Sequence, residues 1–288
     1  MDTMDQRLNN DEWTMVIQPK KRLFDVDLKG LWKARDLWRA YVLRNLTTLY
    51  KQTILGPLWF FISPIFTTLM YMFVFGGIAG ISTDGIPQPL FYLSGITLWS
   101  YFSSSFGASA HVFTRNSGVF GKVYFPRLVV PLASLTSNLV KLLIQLLLFV
   151  VVYIVYTFQG FEVQLNATLL LFPFYILLLA LHALSWGLIV SSVTTKYRDL
   201  NHIVSFGMRL LMYSTPIIYP MSAAKGKFLW ALKVNPLTPI FEAFKYGCLG
   251  CGSFSVNGLI YSTLFMMVTL FFSVLVFNRV ERNFIDTV

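Results

Sequence analysis

Gln52-Thr-Ile-Leu-Gly-Pro-Leu-Trp-Phe-Phe-Ile-Ser-Pro-Ile-Phe-Thr-Thr-Leu-Met-Tyr-Met-Phe-Val-Phe-Gly-Gly-Ile-Ala-Gly-Ile-Ser-Thr83 runs 32 residues without a charged side chain. Similar charge-free stretches recur at 85–114, 142–161, 163–195 and 246–278. About 20 apolar residues, each rising ~1.5 Å along a helix, cross the hydrocarbon core of a bilayer, so each stretch has room for a spanning helix. The chain reads as an all-α polytopic membrane protein.

Composition agrees. Hydrophobic residues make up 56% and charged residues only 12%, about half the charge of an average soluble domain. A net charge of +10 in a soluble protein would suggest nucleic acid, but ten of the 23 Lys and Arg precede residue 52 and no nucleic-acid-reading motif accompanies them. That distribution suits a cytoplasmic face resting on anionic headgroups, with membrane lipid and no nucleic acid as partner. Asp2, Asp5, Asp11 and Glu12, with no apolar core among the first 30 residues, argue against a cleaved signal peptide.

Six transmembrane helices are expected near 57–80, 90–112, 128–158, 168–194, 203–220 and 258–277. The connections near 82–89 and 159–166 carry only Asp84 and Glu162 and read as external. Arg115, Lys122 and Arg127, then Lys196 and Arg198, then Arg279 and Arg282 mark internal segments, so both termini are expected in the cytoplasm. The loop at 221–257 dissents, with Lys225, Lys227, Lys233 and Lys245 against Glu242. The resulting organisation is a cytoplasmic extension over 1–30, an amphipathic interface helix over 31–52 and a six-helix membrane domain over 53–288.

Three segments outside the spans are informative. In 31–51, Leu31, Trp38, Val42, Leu46 and Leu49 share one helical face, opposite Lys33, Asp36, Arg44, Thr47 and Lys51. This pattern predicts a helix lying at the membrane surface, leading to Gly56-Pro57 at the first turn of the next helix. The internal loop Thr114-Arg-Asn-Ser-Gly-Val-Phe-Gly-Lys-Val-Tyr-Phe-Pro-Arg127 is unusually apolar for water. It is either a docking element covered by a partner or a loop tucked against its own helices. After Pro220, two apolar pieces at 227–234 and 239–249 are too short to span. They read as re-entrant helices beside a conduit, or as an ordinary surface loop.

Catalytic chemistry is scarce. His111, His182 and His202 are isolated, and the sequence has no paired-carboxylate arrangement within the spans, metalloprotease motif or phosphate-binding loop. No cofactor or metal is expected in this chain, and ATP hydrolysis is not expected of it alone. Cys248-Leu-Gly-Cys251 is either an external disulfide or two small buried side chains. Lys141 falls well inside the third span, where it either snorkels, pairs across helices or meets a substrate.

Five motifs in order carry a family likeness: Tyr50-Lys-Gln-Thr-Ile-Leu-Gly-Pro-Leu-Trp59, Gly121-Lys-Val-Tyr-Phe-Pro-Arg127 with Pro131, Tyr197-Arg-Asp199, Thr215-Pro-Ile-Ile-Tyr-Pro220 and Asn235-Pro-Leu-Thr238. With the spans, they resemble the permease subunit of ABC exporters that move O-antigen, capsular polysaccharide or teichoic acid. The extension before residue 31, including Trp13-Thr-Met-Val-Ile-Gln-Pro19, departs from that pattern.

The resemblance implies a homodimer in the bacterial inner membrane with two separate ATP-binding cassette subunits, ATP and Mg being held by those partners. The loop with Arg115, Val119, Phe120, Lys122, Val123, Tyr124, Phe125 and Pro126 then looks like the coupling helix. Residues 227–249 look like the external gate, with Pro236, Leu237, Thr238, Pro239 and Glu242 at its turn. A lipid-linked polysaccharide on a polyprenyl pyrophosphate would meet Arg39, Arg44, Lys51 and Arg127 near the inner surface. Its sugars would pass aromatic faces, for which Tyr71, Phe75, Trp99, Phe102, Phe106 and Tyr213 are the candidates. A drug-efflux permease of the same architecture and an integral-membrane transferase remain the competing classes.

Overall fold

The computed structural model describes residues 28–51, 54–120, 125–162, 164–195, 197 and 199–287, and every element in them is helical. The expected extension before residue 28 lies outside these residues, as do Lys122, Val123 and Tyr124 of the internal loop.

Helices α1 (Leu28–Lys33) and α2 (Arg35–Tyr50) are separated by a kink at Ala34. A 3-10 turn at Gly56–Leu58 places Pro57 in the first turn, where its missing N–H costs nothing, and leads into α3 (Trp59–Tyr71). Pro64 sits inside α3, and the helix continues as a π-helical segment, Met72–Ile78. After α4 (Gln88–Ala110) and α5 (Val112–Phe120) come α6 (Val129–Phe158) and, through a 3-10 turn at Ala167–Leu171, α7 (Phe172–Thr194). Next are α8 (Leu200–Tyr213), α9 (Gly226–Val234), α10 (Thr238–Leu249) and the long α11 (Val256–Thr287). Gly250 closes α10 with φ 68°, the left-handed conformation that glycine takes without a Cβ penalty.

Four helical stretches among the described residues are long and apolar enough to cross a membrane: Gly56–Ile78, Val129–Phe158, Ala167–Thr194 and Val256–Val280. The protein is thus a multi-pass membrane protein, but two of the six expected spans fall outside that set. The first is α4, which has 23 residues and sufficient length. Its serines dilute its apolarity, and it is buried by protein along most of its length, with Leu90, Phe91, Tyr92, Leu98 and Phe102 fully inside. The second is the expected span at 203–220. Its helix ends at Tyr213, so the 14 residues of α8 extend only about 21 Å. Residues 214–220 form turns instead, with Thr215, Pro216, Ile217 and Ile218 buried.

The core has two parts. In the larger, α4 is surrounded by α3, α6, α7 and α10. Small residues permit this: a Cβ at Gly187 of α7 would lie 2.4 Å from the Ser109 Cβ of α4, and one at Gly95 would lie 2.9 Å from Ile217 Cγ2. The smaller cluster gathers Leu31 and Tyr41 from α1 and α2, Val112, Phe113 and Phe120 from α5, Val129 from α6, Leu188 from α7 and Phe277 from α11. It ties α1, α2 and α5 to α6, α7 and α11.

Candidate functional site

The side of α4 left open by its neighbours carries Trp99, Ser100, Ser103 and Ser104. Ser63, Pro64, Thr67 and Tyr71 of α3, Gln145 of α6 and Met212 of α8 complete a cleft of about 230 Å³ with these residues. Gln145 Nε2 donates to Ser100 Oγ at 3.4 Å, and the Tyr71 hydroxyl donates to Met212 Sδ at 3.5 Å. The cleft therefore offers hydroxyls, one amide and two aromatic faces, with no ionised group among its lining residues. A larger apolar groove of about 450 Å³ at Leu171, Phe174, Phe254 and Ile260 contains one hydroxyl, Thr263, already donated to the Leu259 carbonyl. It has nothing to orient a polar ligand.

The six expected path aromatics separate into different environments. Tyr71 and Trp99 line the cleft, and Phe75 packs edge-on against Tyr71 at 5.4 Å. Tyr213, at the end of α8, is 49% exposed, and its carbonyl accepts a hydrogen bond from the Tyr219 hydroxyl. Phe102 and Phe106 lie in the core instead; Phe102 meets Trp186 of α7 at 5.7 Å, and Phe106 is stacked on Phe102 at 6.3 Å. They back the cleft wall and offer no face to it. Sequence reading passed over Ser63, Thr67, Ser100, Ser103, Ser104 and Gln145, although the run Ser103-Ser-Ser105 inside an apolar stretch is a visible signal.

At the internal loop, Arg115 and Val119 are exposed on α5. Phe120, expected on the partner-facing ridge, is 4% exposed, with Phe113 at 6.2 Å and Phe125 at 5.7 Å. It roots the loop in the smaller cluster. Phe125 and Pro126 are half-buried, Phe125 also meeting Tyr41 at 6.2 Å.

The four basic residues proposed at the inner surface also differ. Arg39 and Lys51 are exposed, and the exposed Arg44 places its guanidinium 4.3 Å from the centre of the Tyr41 ring. Arg127 is buried at 8% exposure, with its guanidinium 5.4 Å from the Phe120 ring, so it braces the loop from within. Helix α2 itself packs on α6: Trp38 Nε1 donates to Thr136 Oγ1 at 3.2 Å, and Asn45 Nδ2 to Ser137 Oγ at 3.4 Å.

The turn between α9 and α10 is an internal clasp. Asn235 Nδ2 donates to the Ser214 carbonyl at 2.6 Å and to Thr215 Oγ1 at 2.9 Å, while its Oδ1 accepts from the Leu237 N–H at 3.0 Å. Two of the five motifs are thereby joined. Lys245 Nζ donates to the Pro216 carbonyl at 2.6 Å and lies 3.7 Å from the Phe91 ring centre. Pro236, Leu237, Thr238 and Glu242, expected at the mouth of a gate, are buried, and Pro239 is half-buried. Glu242 Oε2 accepts from the Ser253 N–H at 3.1 Å. The exposed side of the hairpin is α9, through Phe228, Trp230 and Val234. Cys248 and Cys251 are separate buried thiols, and burial pushes that of Cys251 up to about 11.

The profile of the ABC-2 type transporter family matches residues 36–249, from the interface helix to the end of α10. The chain belongs to that family. Such a protein is a membrane transport subunit and is not itself catalytic. The O-antigen export system permease protein RfbA of Myxococcus xanthus is 28% identical over 222 residues, covering 76% of this chain and 82% of the relative. The RfbA protein of Klebsiella pneumoniae is 27% identical over 256 residues, covering 87% and 94%. The polysialic acid transport protein KpsM of Escherichia coli is 25% identical over 245 residues, covering 84% and 93%. The ABC-2 match ends at Leu249 and so includes the clasp that joins Asn235 to Thr215.

Proposed function

We propose that the chain is the permease subunit of an ABC exporter that moves lipid-linked polysaccharide across the bacterial inner membrane, both termini being cytoplasmic. The observation that carries this reading is the cleft of Tyr71, Trp99 and hydroxyl side chains between α3, α4, α6 and α8. Sugars present C–H faces that suit aromatic rings and hydroxyls that exchange partners with serines, so a glycan is held weakly at many points and can slide. The names of the relatives, O-antigen export permease and polysialic acid transport protein, support the same substrate class.

Two copies of the chain are proposed to work with two ATP-binding cassette subunits, which hold ATP and Mg. In a bilayer α4 counts as a central span sheathed by protein, and α8 with the turns at 214–220 as a crossing completed in the dimer. Helix α8 supports this: no residue of it is buried, yet His202, Ser205 and Arg209 are exposed beside Ile203 and Phe206. Polar groups in that setting need a partner or a watery path. The exposed Arg115 and Val119 dock the ATPase; because α5 is packed with α2, α6 and α11, a push on it moves those helices as a body. Arg39, Arg44 and Lys51 receive the anionic head of the substrate, and α9 with α10 covers the outer exit.

Reconstitution of the chain with its ATPase in vesicles is the test. ATP-dependent movement of a lipid-linked glycan, lost in Trp99→Ala, is expected. Transport of hydrophobic drugs without glycan movement would overturn the reading.

A further inference from the structure

Lys141 lies 12 residues beyond the start of α6, about 18 Å along a helix of 30 residues. With α6 centred in a hydrocarbon layer of ~30 Å, the Lys141 backbone sits roughly 10 Å inside the inner boundary. A lysine there is costly unless something polar receives it. Among the described residues Lys141 has no hydrogen bond or ion pair, and it is half-buried, away from the exposed apolar stripe of Val140, Leu143 and Leu147.

Its surroundings on α6 are polar in both directions. One turn before it, Ser137 accepts from Asn45 of the surface helix, and Asn138 Nδ2 donates to Ser105 Oγ at 3.3 Å. One turn after it, Gln145 donates to Ser100 in the cleft wall. Residues at i and i+4 share a helix face, so the ammonium stands on a polar stripe between the inner-surface helix and the hydroxyl cleft. Three unused donors on a flexible stem at that junction suit an oxyanion carried by an amphiphile.

We infer that Lys141 is an intramembrane subsite for a phosphate group on a membrane amphiphile, contacted as that amphiphile passes from the surface helix to the cleft. The inference rests on the export reading for direction but makes its own claim about binding. The phosphate belongs either to the polyprenyl diphosphate that carries the glycan or to an anionic phospholipid headgroup.

The test uses the full chain with its ATPase in nanodiscs of neutral lipid, loaded with polyprenyl diphosphate in one arm and phosphatidylglycerol in the other. Retained lipid is quantified for the wild type, Lys141→Arg and Lys141→Met, the last being apolar and compatible with a membrane helix. Loss of a charge-assisted contact should weaken retention about tenfold in Lys141→Met and little in Lys141→Arg. A fall for the diphosphate alone assigns the subsite to the glycan carrier, and a fall for phosphatidylglycerol assigns it to the headgroup. Equal retention of both lipids by Lys141→Met and wild type overturns the inference, while glycan transport by the wild type still decides the export reading separately.

Discussion

Lys245 shows how one side chain can hold a membrane hairpin in place. Its ammonium satisfies the Pro216 carbonyl, rests on the Phe91 ring and is 1% exposed, so it links α10, the turn after α8 and the core helix α4. Lys245→Ala should orphan that carbonyl and remove a positive charge that favours the buried Glu242 carboxylate, a loss of about 1–3 kcal/mol. Thermal unfolding in detergent checks this. An unchanged midpoint would show that the contact adds nothing, and Glu242→Gln added to Lys245→Met should recover part of the loss. The sequence displayed both charges, but their spacing of three residues also fits a solvated external helix. Burial was not legible there, because it depends on α4 and the turn at 214–220, both remote in sequence.

Among the elements, α5 separates a structural role from a docking role within consecutive residues. Val119 is 37% exposed and Phe120 4% exposed. Val119→Asp should therefore leave the permease folded and reduce copurification of the ATPase and its stimulated hydrolysis. Phe120→Asp should deplete the protein itself, since a charge inside the Phe113 and Phe125 contacts costs several kcal/mol. Equal yield of both variants in the membrane fraction would contradict this division. Element existence was widely readable in the sequence: expected spans at 57–80, 128–158 and 168–194 match Gly56–Ile78, Val129–Phe158 and Ala167–Thr194 within two residues. The early end of the helix at Tyr213 within the expected span 203–220 has a physical cause. Ile217 and Ile218 look like span residues by composition, but Pro216 and Pro220 interrupt the helix and the Asn235 side chain takes up freed polar groups. The cleft was partly legible through Tyr71 and Trp99, whereas Phe102 and Phe106, spaced at helical intervals after Trp99, lie in the core because α4 is packed on most of its circumference.

For the whole molecule, the single chain leaves α8 with no buried residue and the Gly56–Ile78 helix with few. These helices border the cleft, so the proposed second copy should cover or face them. Cysteines replacing Phe206 or Leu210, 61% and 50% exposed, should cross-link to their twins in membranes. Cysteine at the lipid-side Leu147 should not, and the reverse pattern would place the dimer axis elsewhere. The buried clasp also bears on how the chain is made. Helix α10 carries Glu242 and Lys245, which oppose its passage into lipid as an independent segment. The surfaces that receive those charges, the Phe91 ring and the Pro216 carbonyl, belong to earlier parts of the chain. During synthesis the hairpin therefore docks onto α4 and the turn after α8 once they are in place, before α11 follows, and a nascent chain that stops before Thr238 presents an unfilled seat that membrane quality control can recognise.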